Sequence, residues 1–289
     1  MNPGLQSRTP RSQERVSPET LPLLWIGRAF RLGALIGLAA FGAYIVLRAS
    51  GATPRNFGQW TALVEGAPID SVSGWIANIG IGLHFVMGAV LVLAWPILLS
   101  TWVRAHHPAV HRWTGRLYVG AGLLAGLGGL SFILTHGAYS RAASIAFSIW
   151  GVVMMLSAVM AYVNARARRI DRHRAWAIRL FAMVLGSWVF DLEFRAWSDL
   201  TGGLGIGAGD TSGPFDYAIL YLFFVPNLLV AEFFIRHRHR RLALPSRWRW
   251  PGVVVFATAG LVFVYAIFAT TALPTGKYGR HLLQAFGLI

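Results

Sequence analysis

The chain has 289 residues, 55% of them hydrophobic and 13% charged, with a formal net charge of +15 and a mean hydropathy of +0.54. That charged share is about half of what a water-soluble domain uses to coat its surface, which excludes an ordinary soluble fold. The absence of cysteine excludes a disulfide framework, a thiolate zinc site and a cysteine nucleophile. Nucleic-acid binding is not expected, because the arginines fall in short clusters between long apolar runs.

Residues 1–27 are polar and carry Arg8, Arg11 and Arg15 among several prolines, so they read as a disordered cytoplasmic tail rather than a signal peptide. Crossing a bilayer core of about 30 Å takes roughly 20 apolar helical residues. Seven segments qualify, at about 28–48, 79–102, 112–135, 142–163, 174–197, 216–236 and 251–273. The expected fold class is therefore all-α, a polytopic transmembrane helical bundle. Pro96 and Pro226 fall inside the second and sixth segments, where each should bend its helix.

Charge sets the orientation. Twenty of the 26 Lys and Arg residues lie on one side: in the N-terminal flank and around 101–116, 163–179 and 236–249. The other six are Arg48, Arg55, Arg141, Arg195, Lys277 and Arg280, and seven of eleven acidic residues share their side. The positive-inside rule places the N-terminus in the cytoplasm and, after seven spans, the C-terminus outside. The expected location is the cytoplasmic (inner) membrane. Four regions follow: the tail at 1–27, a first span with a long outer loop at 28–78, a four-span core at 79–197, and a Gly-rich outer loop with two C-terminal spans at 198–289. The first outer loop holds Trp60 and Trp75 and suits an amphipathic surface helix. The second, with Gly202, Gly203, Gly205, Gly207 and Gly209, lacks the context of a dinucleotide fingerprint and reads as a flexible loop.

Two span starts echo each other. His111-Arg112-Trp113 with Arg116, and His173-Arg174 with Trp176 and Arg179, both open a helix on the arginine-rich side. Free backbone N–H groups there favour an anion, and Arg and Trp suit headgroup depth. The readings are interfacial anchoring on anionic lipid headgroups, or a paired anion-binding site. A metal between His107 and His111 is disfavoured, because Pro108 interrupts their helical spacing.

On the opposite side, His84, His136, Asp191, Glu193 and Arg195 form an outer polar group of candidates, since ionisable residues at membrane depth are expensive. Asp191 and Arg195 are spaced to pair along one helix. Glu193 then needs another partner, for which His84 and His136 are the candidates, and Glu232 is expected to pair with Arg236. His84, His136, His111 and His173 are also the candidate ligands of a haem b. Against two haems, His111 and His136 are 25 residues apart, about 37 Å along a helix. Glycines 115, 122, 126 and 129, with Ala121 and Ala125, give the third span a small-residue face for close packing.

These motifs carry a resemblance. Leu83-His84 with Gly88, His111-Arg112-Trp113 with Gly115-Arg116 and Tyr118, then His136, then His173-Arg174 with Trp176 and Arg179 resemble the bacterial predicted membrane protein family called domain of unknown function 2306, over about residues 79–197. The resemblance implies a multi-pass membrane protein and no assigned activity. Three functions stand open: an accessory or ligand- and lipid-binding protein with a cytoplasmic-face anion site, a haem- or quinone-linked redox protein, and a small-solute or proton transporter. The bilayer itself is the expected partner, and a membrane-protein partner is left open.

Overall fold

Apolar runs bounded by capping residues become helices. Ser140 accepts from the Ala143 amide to start one, Pro108 occupies the first turn of another, and Gly202 ends a third at φ 68°. The protein, seen in a computed structural model, is described over residues 21–50, 72–138, 140–207, 212–237, 246–272 and 276–288. Among these residues it is all helical, without strands. The order is α1 (Leu21–Ser50), α2 (Val72–Leu99), α3 (Thr101–His106), α4 (Pro108–Thr135), α5 (Arg141–Arg166), α6 (Ile170–Thr201), α7 (Pro214–Leu222), α8 (Val225–His237), α9 (Ser246–Thr271) and α10 (Lys277–Ala285).

Among the described residues, five segments are long and apolar enough to cross a membrane: Gly74–Leu99, Pro108–Thr135, Arg141–Arg166, Ile170–Thr201 and Pro214–His237. Two further apolar stretches, Leu32–Leu47 in α1 and Ala257–Thr271 in α9, are shorter. Seven full spans were expected. In the most apolar stretch of each of the five longer spans only 28% to 39% of the residues are buried, which leaves many apolar side chains at the surface, as a lipid-facing exterior requires.

The two prolines act differently. α2 runs unbroken through Pro96. The sixth segment divides at Phe223 and Phe224 into α7 and α8, and the Asn227 side-chain amide donates to the Phe223 carbonyl at 2.8 Å beside Pro226. Trp75, expected in the first outer loop, lies in α2 and is exposed. Trp60 and the tail before residue 21 lie outside the described residues.

α4 is central, as its small residues predict, and packs on α2 and α5. A Cβ on Gly122 would sit 3.5 Å from Ala158 Cβ, and one on Gly126 would run into Met155, both on α5. Gly128 instead meets the Gly80 carbonyl of α2, so those two backbones nearly touch. One core joins α1, α2, α6, α9 and α10 around Phe41, Trp188, Leu192, Ile267 and Tyr278. A second joins α2, α4, α5 and α6 with the α7–α8 junction around Leu91, Ala125, Met154, Met183 and Phe223.

Candidate functional site

Between these two cores lies a cavity of about 670 Å³, walled by α1, α2, α4, α5, α6 and α7, with Lys277 from α10 at its edge. Its lining is mainly apolar and aromatic, including Phe85, Phe147, Trp150, Phe190 and Phe223. The size falls in the ordinary range for small-molecule sites, roughly 300–1,000 Å³.

The polar groups on the cavity are few, and most are engaged. Asp216 accepts from the Gly207 amide at 2.8 Å and the Gly213 amide at 3.0 Å. Asp191 accepts from Lys277 Nζ at 2.9 and 3.0 Å and from the Tyr278 hydroxyl at 2.9 Å. Ser187 donates to the Val184 carbonyl. The Trp150 indole N–H donates to the Met183 carbonyl at 2.9 Å.

His84 is the exception. Its Nδ1 lies 2.9 Å from the Ala125 carbonyl of α4. A carbonyl only accepts, so Nδ1 carries the proton and Nε2 is left as a bare lone pair. Among the described residues Nε2 has no hydrogen-bond partner. The ring stands edge-on to Trp150, with centroids 6.3 Å apart and planes at 70°. Gly129 makes room for it, since a Cβ there would come within 3.0 Å of Nδ1. Gly88, one turn along α2, faces open space. His84 lies ten residues inside its span, about 15 Å at 1.5 Å per residue. It is deeper than the sequence suggested, because α2 starts well before residue 79.

The other outer candidates do not gather around it. His136 caps the end of α4, exposed, its ring 5.3 Å from that of Phe132. Asp191 shares the cavity but does not pair with Arg195: α10 supplies Lys277 and Tyr278 to it, and Arg195 turns one helical turn the other way to Asp199 at 2.6 Å. The spacing alone allowed either neighbour. Glu193 does not reach His84 or His136, and its Oε2 is buried without a hydrogen-bond partner. Among the described residues no group of three or more His, Asp or Glu side chains is placed to hold a metal ion.

At the arginine-rich end the two echoed motifs share a local geometry. The Arg116 guanidinium lies 4.5 Å from the Trp113 ring centroid, and that of Arg179 lies 4.6 Å from Trp176. Their surroundings differ. Arg112, Arg116, Arg174 and Trp113 are exposed, whereas Arg179 turns inward to Glu232 of α8 at 2.7 Å. Glu232 also accepts from Arg236 at 3.1 Å, the pairing expected, with Arg179 added. His173 Nδ1 lies 2.9 Å from the Ala161 carbonyl, while His111 Nδ1 is buried without a partner. The result is an open basic layer with one inward ion pair.

The described part of the Gly-rich loop makes specific contacts. Gly202, Gly203 and Gly205 take φ values of 68°, 83° and 78°, and Trp197 stacks on Phe215 at 4.7 Å while its N–H holds the Leu204 carbonyl. Asp216, which ties this loop to α7, was missed; an acid in the first turn after Gly213-Pro214 is the signal that pointed to it.

Compared with known proteins, the chain matches the family described as Predicted membrane protein (DUF2306) over residues 81–235, more than half its length. The chain belongs to that family. The match extends past the region of resemblance at 79–197 to take in α7 and most of α8, so the cavity walls apart from α1 and Lys277 are family territory. No curated protein and no solved structure gives a match.

Proposed function

We propose that this family member is a ligand-binding protein of the cytoplasmic membrane, whose ligand is a small lipophilic molecule held in the cavity beside His84. The observation that carries the reading is a mainly apolar cavity of about 670 Å³ onto which His84 presents an Nε2 that is unengaged among the described residues. Such a combination of apolar walls and one orienting polar group suits a buried small molecule. The arginine-rich layer then anchors the bundle to anionic headgroups, with Trp113 and Trp176 at headgroup depth.

The same reading takes α1 and α9 as the first and seventh spans, with the N-terminus inside. Support comes from the apolar stretches Leu32–Leu47 and Ala257–Thr271 and from the one-sided distribution of arginine. A C-terminal alkaline phosphatase fusion that is active in the periplasm is the expected outcome, and an inactive one removes this topology.

The cavity reading is tested by extracting purified protein with organic solvent and identifying what is released by mass spectrometry. Gly88→Phe, which fills open space, should abolish the release of any stoichiometric lipophile. Equal release from both proteins would count against the cavity as the binding site.

A further inference from the structure

We infer that the cavity selects a lipophile with an aromatic hydroxyl headgroup, a quinol or similar phenol, whose O–H donates to His84 Nε2. This rests on the cavity being a ligand site. The donor and acceptor roles at His84 are set by its neighbour: Nδ1–H is used on the Ala125 carbonyl at 2.9 Å, and moving the proton to Nε2 would leave a lone pair facing that carbonyl's own lone pairs. A neutral His84 therefore presents an acceptor to the cavity. It accepts from a hydroxyl but offers nothing to a quinone carbonyl or an ether oxygen.

The rest of the lining sharpens the class. Asp191 and Asp216 on the cavity already accept from α10 or backbone donors, Ser187 spends its proton on the Val184 carbonyl, and Tyr44 is the other hydroxyl on the lining. A ligand rich in polar groups would find few partners. The walls nearest His84 are aromatic, with Phe85 and Trp150 edge-on to its ring at 5.9 and 6.3 Å, and Phe147 and Phe223 beyond Trp150. Gly129 leaves room for the His84 ring itself, and Gly88, one turn along α2, leaves open space on the cavity where a flat ring can lie. The volume is enough for a headgroup with a short length of tail.

The test uses the full chain in lipid nanodiscs at pH 8, above the ordinary imidazole value of about 6.5, so that His84 is neutral. Affinities are read from the ligand-dependent rise in Tm for four probes: a short-tailed benzoquinol under anaerobic conditions, its oxidised quinone, its di-O-methyl ether, and a fatty alcohol of equal carbon number. The quinol should bind about tenfold more tightly than the quinone or the ether, the worth of one neutral buried hydrogen bond. In His84→Phe that ratio should fall to about one. His84→Gln, whose amide N–H₂ can replace Nδ1–H and whose oxygen can replace Nε2, should retain part of it. Gly88→Phe should bind none of the probes.

Equal binding of quinol, quinone and ether, all lost in Gly88→Phe, overturns the hydroxyl inference and leaves the cavity reading standing. Binding unchanged in Gly88→Phe, or absent for all probes in the native chain, overturns both. A fatty alcohol that matches the quinol overturns the aromatic part. A native protein that purifies with a haem Soret band, lost in His84→Phe, overturns the proposal by making Nε2 an iron ligand.

Discussion

In both halves of the bundle a histidine donates Nδ1–H to a carbonyl of the neighbouring helix, His84 to Ala125 and His173 to Ala161, each at 2.9 Å. The surroundings then part company. His173 sits beside the exposed Arg172 and Arg174 at the bundle's end, although its partner Ala161 is as buried as Ala125. His84 lies deep beside an apolar cavity, where no solvent replaces a lost bond. The same hydrogen bond therefore serves as an anchor in one place and sets the polarity of a site in the other.

The largest expected effect comes from the packing that creates the deep environment. Gly128→Val would drive its side chain into the Gly80 carbonyl and to within about 3.0 Å of the His84 amide, forcing α2 and α4 apart. Folded protein should be lost, measured as the monodisperse fraction after detergent extraction. A well-folded Gly128→Val with unchanged Tm would break the account of how α2 and α4 meet.

Next, the two histidines can be compared directly. His84→Ala should lower stability by about 1–3 kcal/mol, from a buried carbonyl left short of a partner and an enlarged cavity. His173→Ala should cost less, about 1 kcal/mol, since water can enter from the exposed arginine side once the ring is gone. Equal losses of Tm in the two variants would erase the distinction between the halves.

A similar contrast exists within the basic layer. Arg179→Ala leaves Glu232 with only Arg236 and breaks the α6–α8 link, for a loss of about 1–2 kcal/mol. Arg116→Ala removes only an exposed stack on Trp113 and should cost about 0.5 kcal/mol or less. Thermal unfolding of the single variants gives the order.

The smallest effect concerns α10 at the cavity's edge. Asp191→Asn weakens the contact to Lys277, and faster amide exchange confined to α10 is expected. Burial, and then the Asp191 carboxylate, push the Tyr278 hydroxyl well above the usual tyrosine range. A folded-state value above the unfolded one means that this contribution is complete below the ordinary value of 10.0 and is lost as pH rises through the folded value. Docking of α10 should thus hold at neutral pH and weaken only under strongly alkaline conditions; weakening near pH 7 would show that another group controls it.

Much of the architecture was legible along the chain. Gly122 and Gly126 pointed to a central α4, and Glu232 to its partner Arg236, because neighbours four residues apart follow from the helical repeat. Asp191 was misassigned for the complementary reason: its partner Lys277 is 86 positions away, and no local spacing shows it. The depth of His84 was misjudged because hydropathy dips at Asn78 and hides the true start of α2.

By itself the sequence determined the membrane setting, the all-helical class and the asymmetric placement of arginine, since each depends on the composition of single segments against a fixed bilayer thickness. Only the tertiary structure decided that His84 faces a cavity, that its Nε2 is the atom left unengaged, and that Asp191 belongs to α10. Those facts depend on how each helix is rotated about its axis, and that rotation is set by close approaches such as Gly80 with Gly128, which involve two helices at once.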